Sequence, residues 1–563
     1  MNLKTICKFI LIGFLGQVFV YCPPKGGGND LLFLALAGSQ PTGSQQAGGG
    51  GSSCDLTPAD PLYSDQWHIK NTGQSLGISG EDANVEPVWN ELNWGQDIYV
   101  AVVDDGIDIQ HEDLQLTYLN YHYDYVDSDN DLTNHYQYAS HGTSVAGVIG
   151  ARCNDKGVRG IAPLTNIIGY NLLKNLTSYN IADAMIRNKN IVQISNNSWG
   201  APDGTGKLDD SLAVTTWKNA ILDGIQNGNN GKGIIYLWAG GNGSSFTAEP
   251  PFPGISSNTL VVDLADNSNY DGQANYVPFV NAICAVTNTG KHALYSEKGA
   301  NLLVCGHSNY FYNEGTLAIT TTDIRGSYGY SSTDYNSTFG GTSSATPLVS
   351  GVVALMLKAN PNLTWRDIRY ILAKTARQIN STDSDWQTNG AGLKYNHKYG
   401  FGVVDAQAAV NMAKTHTSLG GYSSLLNYTS SYDDPSPDIP IPDNDSTGIS
   451  RTMNVSTSIT KIEGVLIEVK FSHQWFGDLE ITLTSPSGTK AYLAKQHYCP
   501  VDNDNDGLMD ADNCPNYTNK VWFFGATVFM DENPNGNWTL TVKDLDSLAT
   551  GTLHQWRLQI LGR

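Results

Sequence analysis

The sequence predicts an α/β domain built on a parallel sheet, followed by an all-β sandwich. Three observations carry this. Residues 55–415 alternate apolar runs with helical segments, the pattern of strands interleaved with helices. The runs Ile98–Val103, Ile191–Ile194 and Ile234–Trp238 have no polar face, as strands covered on both sides require. Residues 446–563 show short alternating segments separated by turn residues and no helical stretch.

Within the first domain, Thr143–Gly150 and Pro347–Ala359 read as helices. Pro347 is expected in a first helical turn, where its missing N–H costs nothing. In the second domain, Leu479, Ile481 and Leu483, and likewise Trp538, Leu540 and Val542, alternate so as to bury one face. Residues 416–445, containing SYDDPSPDIPIPDNDS, read as a linker, and the Gly-, Ser- and Gln-rich residues 23–54 as a flexible tether.

Residues 1–22 read as an export leader: Lys4 and Lys8 precede the mostly apolar Phe9–Val20. Cys22 follows where a bacterial lipoprotein would carry lipid, although Tyr21 is bulky where such leaders are small. Membrane attachment through Cys22 and simple secretion are therefore the two expectations. Eight cysteines suit an oxidising compartment. Cys499 and Cys514 flank an acidic loop and Cys284 and Cys305 lie on neighbouring apolar segments, but spacing leaves the connectivity open. The net charge of −21 argues against nucleic acid as a partner and towards cations or basic peptides.

Three segments suggest chemistry. IYVAVVDDG ends a strand at Asp104 and Asp105; SHGTSVAGVIGA presents His141 at a helix start; GGTSSATPLVSGVVALML presents Ser343 at another. Functional groups on such folds gather at strand carboxyl ends and helix N-termini, so the three should converge. A serine hydroxyl needs a base, histidine can take and return its proton, and a carboxylate fixes the histidine tautomer. IIYLWAGGNG ends in Asn242, whose amide, with the Ser343 backbone N–H, would stabilise an oxyanion.

The order of VVDDG, HGTSVAG, SWG, AGGNG and GTSSATP resembles the subtilisin superfamily. The Asp104–Asp105 pair, Tyr295-Ser296-Glu297, Asn360–Asp367 (NPNLTWRD) and His397–Ala406 (HKYGFGVVDA) are similar to the kexin/furin-like branch of proprotein convertases. WFGDLEITLTSPSGTKAYL and the final NPNGNWTLTV…LQILG resemble the jelly-roll-like P domain of that branch. The resemblance implies a subtilisin-like sheet with helices on both faces, and a serine endopeptidase acting on protein or peptide substrates. It also implies a substrate strand at Ser198, Trp199 and Gly200, with Asp105 and Asp203 as pocket acids favouring basic residues.

Departures are equally visible. Tyr138 and Ile186 stand where that branch carries acids, and the stretch after Asn242, SSFTAEPPFPGISSN, offers only Glu249. These weigh against strict dibasic specificity and keep broad cleavage as the alternative; a surface binding protein without activity is the reading from another class. About 30 tether residues stand where such proteases carry a propeptide, so the chain is expected to fold unaided or with a separate helper.

Calcium is the expected cofactor. Asp60, Asp113, Asp155 and the carbonyls of Val158 and Gly160 match a subtilisin-type site. Glu297 and Asp203 resemble two ligands of a second ion beneath the first pocket, with the third ligand missing. DNDNDGLMDADNCP places Asp502, Asp504, Asp506, Asp510 and Asp512 at largely alternating spacing, resembling a thrombospondin type 3 calcium loop.

Overall fold

The computed structural model describes residues 54–563 apart from 92, 115, 117–118, 133–139 and 311–316. Cys7, Cys22 and Tyr138 therefore lie outside the described residues. Seven parallel strands form the central sheet: β1 (Tyr99–Asp104), β2 (Tyr123–Asp124), β3 (Asn166–Asn171), β4 (Ile194–Asn197), β5 (Ile235–Ala239), β8 (Val280–Val286) and β9 (Leu302–His307). Between β5 and β8 lies an antiparallel hairpin of β6 (Phe246–Ala248) and β7 (Thr259–Val261). The sheet order is β2-β3-β1-β4-β5-β8-β9. Its central strands are buried nearly end to end, as their apolar composition required.

Strand β4 differs from expectation. It begins at Ile194 and continues through Ser195, Asn196 and Asn197, all buried. Buried amides are tolerable when hydrogen-bonded, and all but the Asn197 Oδ1 are. Asn197 Nδ2 donates to Ser195 O and Leu237 O, and Asn196 Oδ1 accepts from Ser350 Oγ at 2.8 Å.

Two helices start at the carboxyl end of the sheet: α1 (His141–Gly150) and α2 (Thr342–Ala359). Helix α2 is long and apolar enough to cross a membrane by composition, but it is buried from Thr342 to Leu357 as the central core helix. It also corrects the expectation for Pro347. The helix begins at Thr342, so Pro347 lies in its interior and supplies no N–H to the Ser343 carbonyl four residues back. That carbonyl accepts the Ser198 hydroxyl instead, at 3.1 Å.

The second domain is a two-sheet sandwich. One sheet contains Leu426–Thr429, Gly551–Gly562, Ile462–His473 and Tyr517–Ala526; the other contains Asp445–Val455, Gly536–Asp544, Leu479–Thr484 and Lys490–Ala494. The predicted linker is partly drawn into it: Leu426–Thr429 and Ile439–Ile441 both pair with Gly551–Gly562 as edge strands. The expected alternation holds, with Leu479, Ile481, Leu483, Leu540 and Val542 all buried.

The domains are joined by a buried polar seam. Arg366, on helix α3 (Trp365–Thr375), forks onto Glu463 with contacts of 2.8 and 2.6 Å. Arg369 on the same helix donates to Thr527 Oγ1 and Asn281 Oδ1. Cysteines pair as Cys54–Cys153, Cys284–Cys305 and Cys499–Cys514.

Candidate active site

Strand β1 delivers Asp104 and helix α1 delivers His141, and the two meet: His141 Nδ1 lies 2.8 Å from Asp104 Oδ1. Asp104 Oδ1 also accepts the Asp105 N–H, and Asp105 Oδ1 accepts the Gly142 N–H, so strand end and helix start are laced together. Burial alone would make His141 less basic. The Asp104 charge and hydrogen bond, with the Asp105 charge behind them, raise it to about 9. Asp105 is itself pushed up to about 6 by burial and by the Asp104 charge.

Ser343 sits in the first turn of α2, 7% exposed, with its hydroxyl donating to Ser198 O at 3.1 Å. Gly341 caps this helix at φ +76°, a conformation that favours glycine. Asn242 follows β5 and its amide orientation is fixed. Oδ1 accepts from Thr342 N at 2.7 Å and Thr342 Oγ1 at 2.9 Å, which turns Nδ2 outward. Nδ2 also reaches Asp203 Oδ2 at 3.2 Å.

A cavity of about 230 Å³ opens beside Ser343, lined by Ser198–Asp203, Asn242, a single base, Lys207, and an acidic floor. The floor is richer than the sequence suggested. Asp266 and Asp271 join Asp203 and Glu297 there. Asp271 Oδ2 accepts Ala201 N–H at 3.1 Å, and the glycine at 200 is needed because a Cβ there would fall 2.4 Å from that oxygen. Glu297 Oε1 accepts Gly243 N–H, and Asp266 Oδ2 accepts Thr205 N–H. Burial and mutual repulsion push Asp266 up to about 8 and Glu297 well above the ordinary carboxylate range. Burial, with a lesser contribution from Asp203, raises Asp271 to about 6. Four carboxylates lining one cavity offer hard oxygen donors of the type a divalent cation takes.

Sequence reasoning missed Asp266 and Asp271, which follow the β6–β7 hairpin rather than Asn242 directly.

The other expected metal residues fare unevenly. Asp60 and Asp113 do come together through Asn154, whose N–H donates to Asp60 and whose Nδ2 donates to Asp113. Asp113 also accepts the Val158 N–H. The charge of Asp60 is met by Arg159, a fully buried guanidinium with Nε 2.8 Å from Asp60 Oδ2. Asp155 is exposed and faces Lys156 rather than this cluster. Asp155 turns away and Arg159 already serves Asp60, although burial still raises both Asp60 and Asp113, the latter to about 7.

In the acidic loop the five aspartates separate. Asp502 accepts the Asn505 and Gly507 N–H groups, Asp510 accepts from Asn503, and Asp512 turns to the Cys499 N–H. Asp504 and Asp506 instead gather with Glu249, their ligand atoms within 4.8 Å of one another.

A parallel sheet carrying a coupled Asp–His pair at one strand end, with a helix-borne serine across the cleft, defines a serine endopeptidase of the subtilisin type. Residues 95–402 match the Subtilase family and residues 462–560 the Proprotein convertase P-domain. Neuroendocrine convertase 2 of Homo sapiens is 31% identical over 524 residues, spanning 90% of this chain and 75% of its own length. The Dibasic-processing endoprotease of Schizosaccharomyces pombe is 31% identical over 513 residues, spanning 90% and 65%. The crystal structure of a serine protease of Aeromonas sobria aligns with a TM-score of 0.75 at 26% identity, covering 91% of this chain and 97% of that one. The chain belongs to the subtilase family, in its kexin/furin-like branch with a P domain.

Proposed function

We propose that this endopeptidase cleaves exported proteins or peptides after basic residues, with calcium supporting its specificity pocket. The observation that carries the reading is the acidic floor of Asp203, Asp266, Asp271 and Glu297 beside Ser343. A buried arginine or lysine head needs a carboxylate partner, and few other side chains would tolerate that floor. The name of the fission-yeast relative, a dibasic-processing endoprotease, points the same way.

In this reading the Ser343 hydroxyl turns from Ser198 O towards His141. Its oxygen attacks the scissile carbonyl while the neutral imidazole of His141 takes the proton. Asp104 holds the His141 tautomer and the imidazolium that forms. Asn242 Nδ2 and the Ser343 N–H receive the oxyanion. His141 then protonates the leaving amine, the C–N bond breaks, and water hydrolyses the acyl-enzyme by the same route. Ser198, Trp199 and Gly200 pair with the substrate backbone, and Asp105 lies in the acidic surround of His141.

Asp203, Asp266 and Glu297 would hold one calcium ion; Asp504 and Asp506 with Glu249, and Asp502 nearby, would hold another. An ion held there would supply charge compensation to the pocket acids. Three disulfides fit an exported location, with Cys22 as the point of lipid attachment if anchored.

The test is digestion of a mixed peptide library by the calcium-loaded protein beside Ser343→Ala, with cut sites read by mass spectrometry. Cuts confined to positions after Arg or Lys, absent in the variant, support the reading. Cuts after many residue types overturn it in favour of broad degradation.

A further inference from the structure

The specificity cleft is held from outside by the second domain. Asp203 stands on the segment Asp203-Gly204-Thr205-Gly206, where both glycines have positive φ (+72° and +62°). Such a segment is conformationally permissive and places its carboxylate accurately only if tied down. The tie comes from His497, a buried residue of the sandwich. Its Nε2 lies 2.9 Å from Gly206 O, and its Nδ1 lies 2.7 Å from Lys495 O and 3.3 Å from the Tyr270 hydroxyl. The ring is packed between Tyr270 and Phe476, with centroid separations of 5.0 and 5.2 Å.

A few residues on, the Leu208 N–H donates to the Tyr517 hydroxyl, again from the sandwich, at 3.0 Å. The contact is close enough to exclude a side chain. A Cβ on Gly206 would lie 2.5 Å from Tyr498 O and 2.9 Å from Cys499 Sγ. Inside the cleft, Thr205 N–H reaches Asp266, and Asp203 binds Asn242. A continuous chain of short contacts thus runs from His497 through Gly206 and Asp203 to the outward amide of Asn242.

We infer that His497 is a positioning residue for the primary specificity pocket, pinning Gly206 so that Asp203 faces the basic head of the substrate and steadies Asn242. The inference rests on the reading of the cleft as a pocket for basic residues. It gives the P domain a part in substrate choice, exerted through one imidazole on one carbonyl. The tie to Gly206 O needs the ring proton on Nε2, with Nδ1 accepting from the Tyr270 hydroxyl; a glutamine amide can donate to the first and accept from the second, and alanine can do neither.

The test uses the full chain in calcium and two fluorogenic peptides that differ only in Arg or Leu before the scissile bond. His497→Ala is expected to lower the Arg-over-Leu ratio of kcat/KM about tenfold, the upper size of one hydrogen bond, with most of the change in KM for the Arg peptide. His497→Gln is expected to restore most of the ratio. Tyr517→Phe, which keeps the packing and removes only the second tie, should lower the ratio about threefold. A merely structural residue would lower the melting temperature and depress both peptides equally, and that result overturns the inference. Asp203→Asn run alongside separates the two readings. If it collapses the ratio while His497→Ala and Tyr517→Phe leave it intact, the positioning role is wrong and the pocket stands. If Asp203→Asn leaves the ratio unchanged, the pocket reading itself fails.

Discussion

Asp203 receives both hydrogen-bond donors of Asn242, the backbone N–H at 2.8 Å on Oδ1 and the side-chain amide at 3.2 Å on Oδ2. The wall of the specificity pocket and the proposed oxyanion donor are therefore one unit. An uncharged replacement at 203 removes a charge from the pocket and loosens the donor at once. Asp203→Asn is expected to lower kcat/KM for an Arg peptide by about 10- to 100-fold, the worth of one hydrogen bond to a charged group. It should also lower kcat for a Leu peptide, which Asp271→Asn should not. Steady-state kinetics on the two peptides checks both statements.

The pH profile should bear the mark of the paired aspartates. His141 accepts the Ser343 proton only when neutral, so activity rises as pH passes its basicity, raised here to about 9 from the ordinary 6.5. The ascending limb of kcat/KM is expected near pH 9. Because the folded state holds this proton more tightly, the associated stability is fully present below about pH 6.5 and is lost as pH rises through about 9. Asp105→Asn removes one negative neighbour and should move the limb to lower pH. Profiles of wild type and variant between pH 5 and 10, with thermal melts at each pH, would show it.

What was legible in the sequence was whatever was local. Asp104, His141, Asn242 and Ser343 each end or begin an element within a short motif, so strand and helix signals alone brought them to one sheet edge. Asp266 and Asp271 were lost because the β6–β7 hairpin separates them from Asn242, and no local pattern announces that a chain will return to its starting point. Strand β4 runs past Ile194 because Asn196 and Asn197, loop residues by type, find donors and acceptors inside the fold. Pro347 suits a first turn in the sequence because nothing local reveals that Ser198 serves the carbonyl it orphans. The Asp60 cluster is only half legible for a related reason: Arg159 lies inside the loop expected to ligate a metal, and only the fold shows its guanidinium turned inward.

Calcium removal should act at the acidic floor. Asp203, Asp266 and Glu297 repel one another, and a divalent ion bound only by the folded state would stabilise it by about 2.7 kcal/mol at a hundredfold excess over its dissociation constant. Chelation is expected to lower the melting temperature and to weaken binding of Arg peptides more than of Leu peptides. Glu297→Gln relieves part of the repulsion and removes a ligand oxygen's charge, so it should melt with a smaller response to chelator. Differential scanning calorimetry with and without chelator measures both.

The Asp60 cluster makes the opposite prediction. Its side chains are buried, and the charge on Asp60 is met by Arg159, which also donates to the Asp55 carbonyl and lies 5.6 Å above the Trp89 ring. Removing one partner of a buried pair strands the other charge without water, at a cost of about 3–5 kcal/mol. Arg159→Leu is therefore expected to destabilise the protein by that amount. Since Asp155 points to solvent and Asp113 is already occupied by Val158 and Asn154, the same loss should appear in calcium and in chelator. Urea unfolding under both conditions measures it. Full recovery of the variant in calcium would mean that the guanidinium stands in for an ion the site can still accept, and the cluster would return to the list of calcium sites.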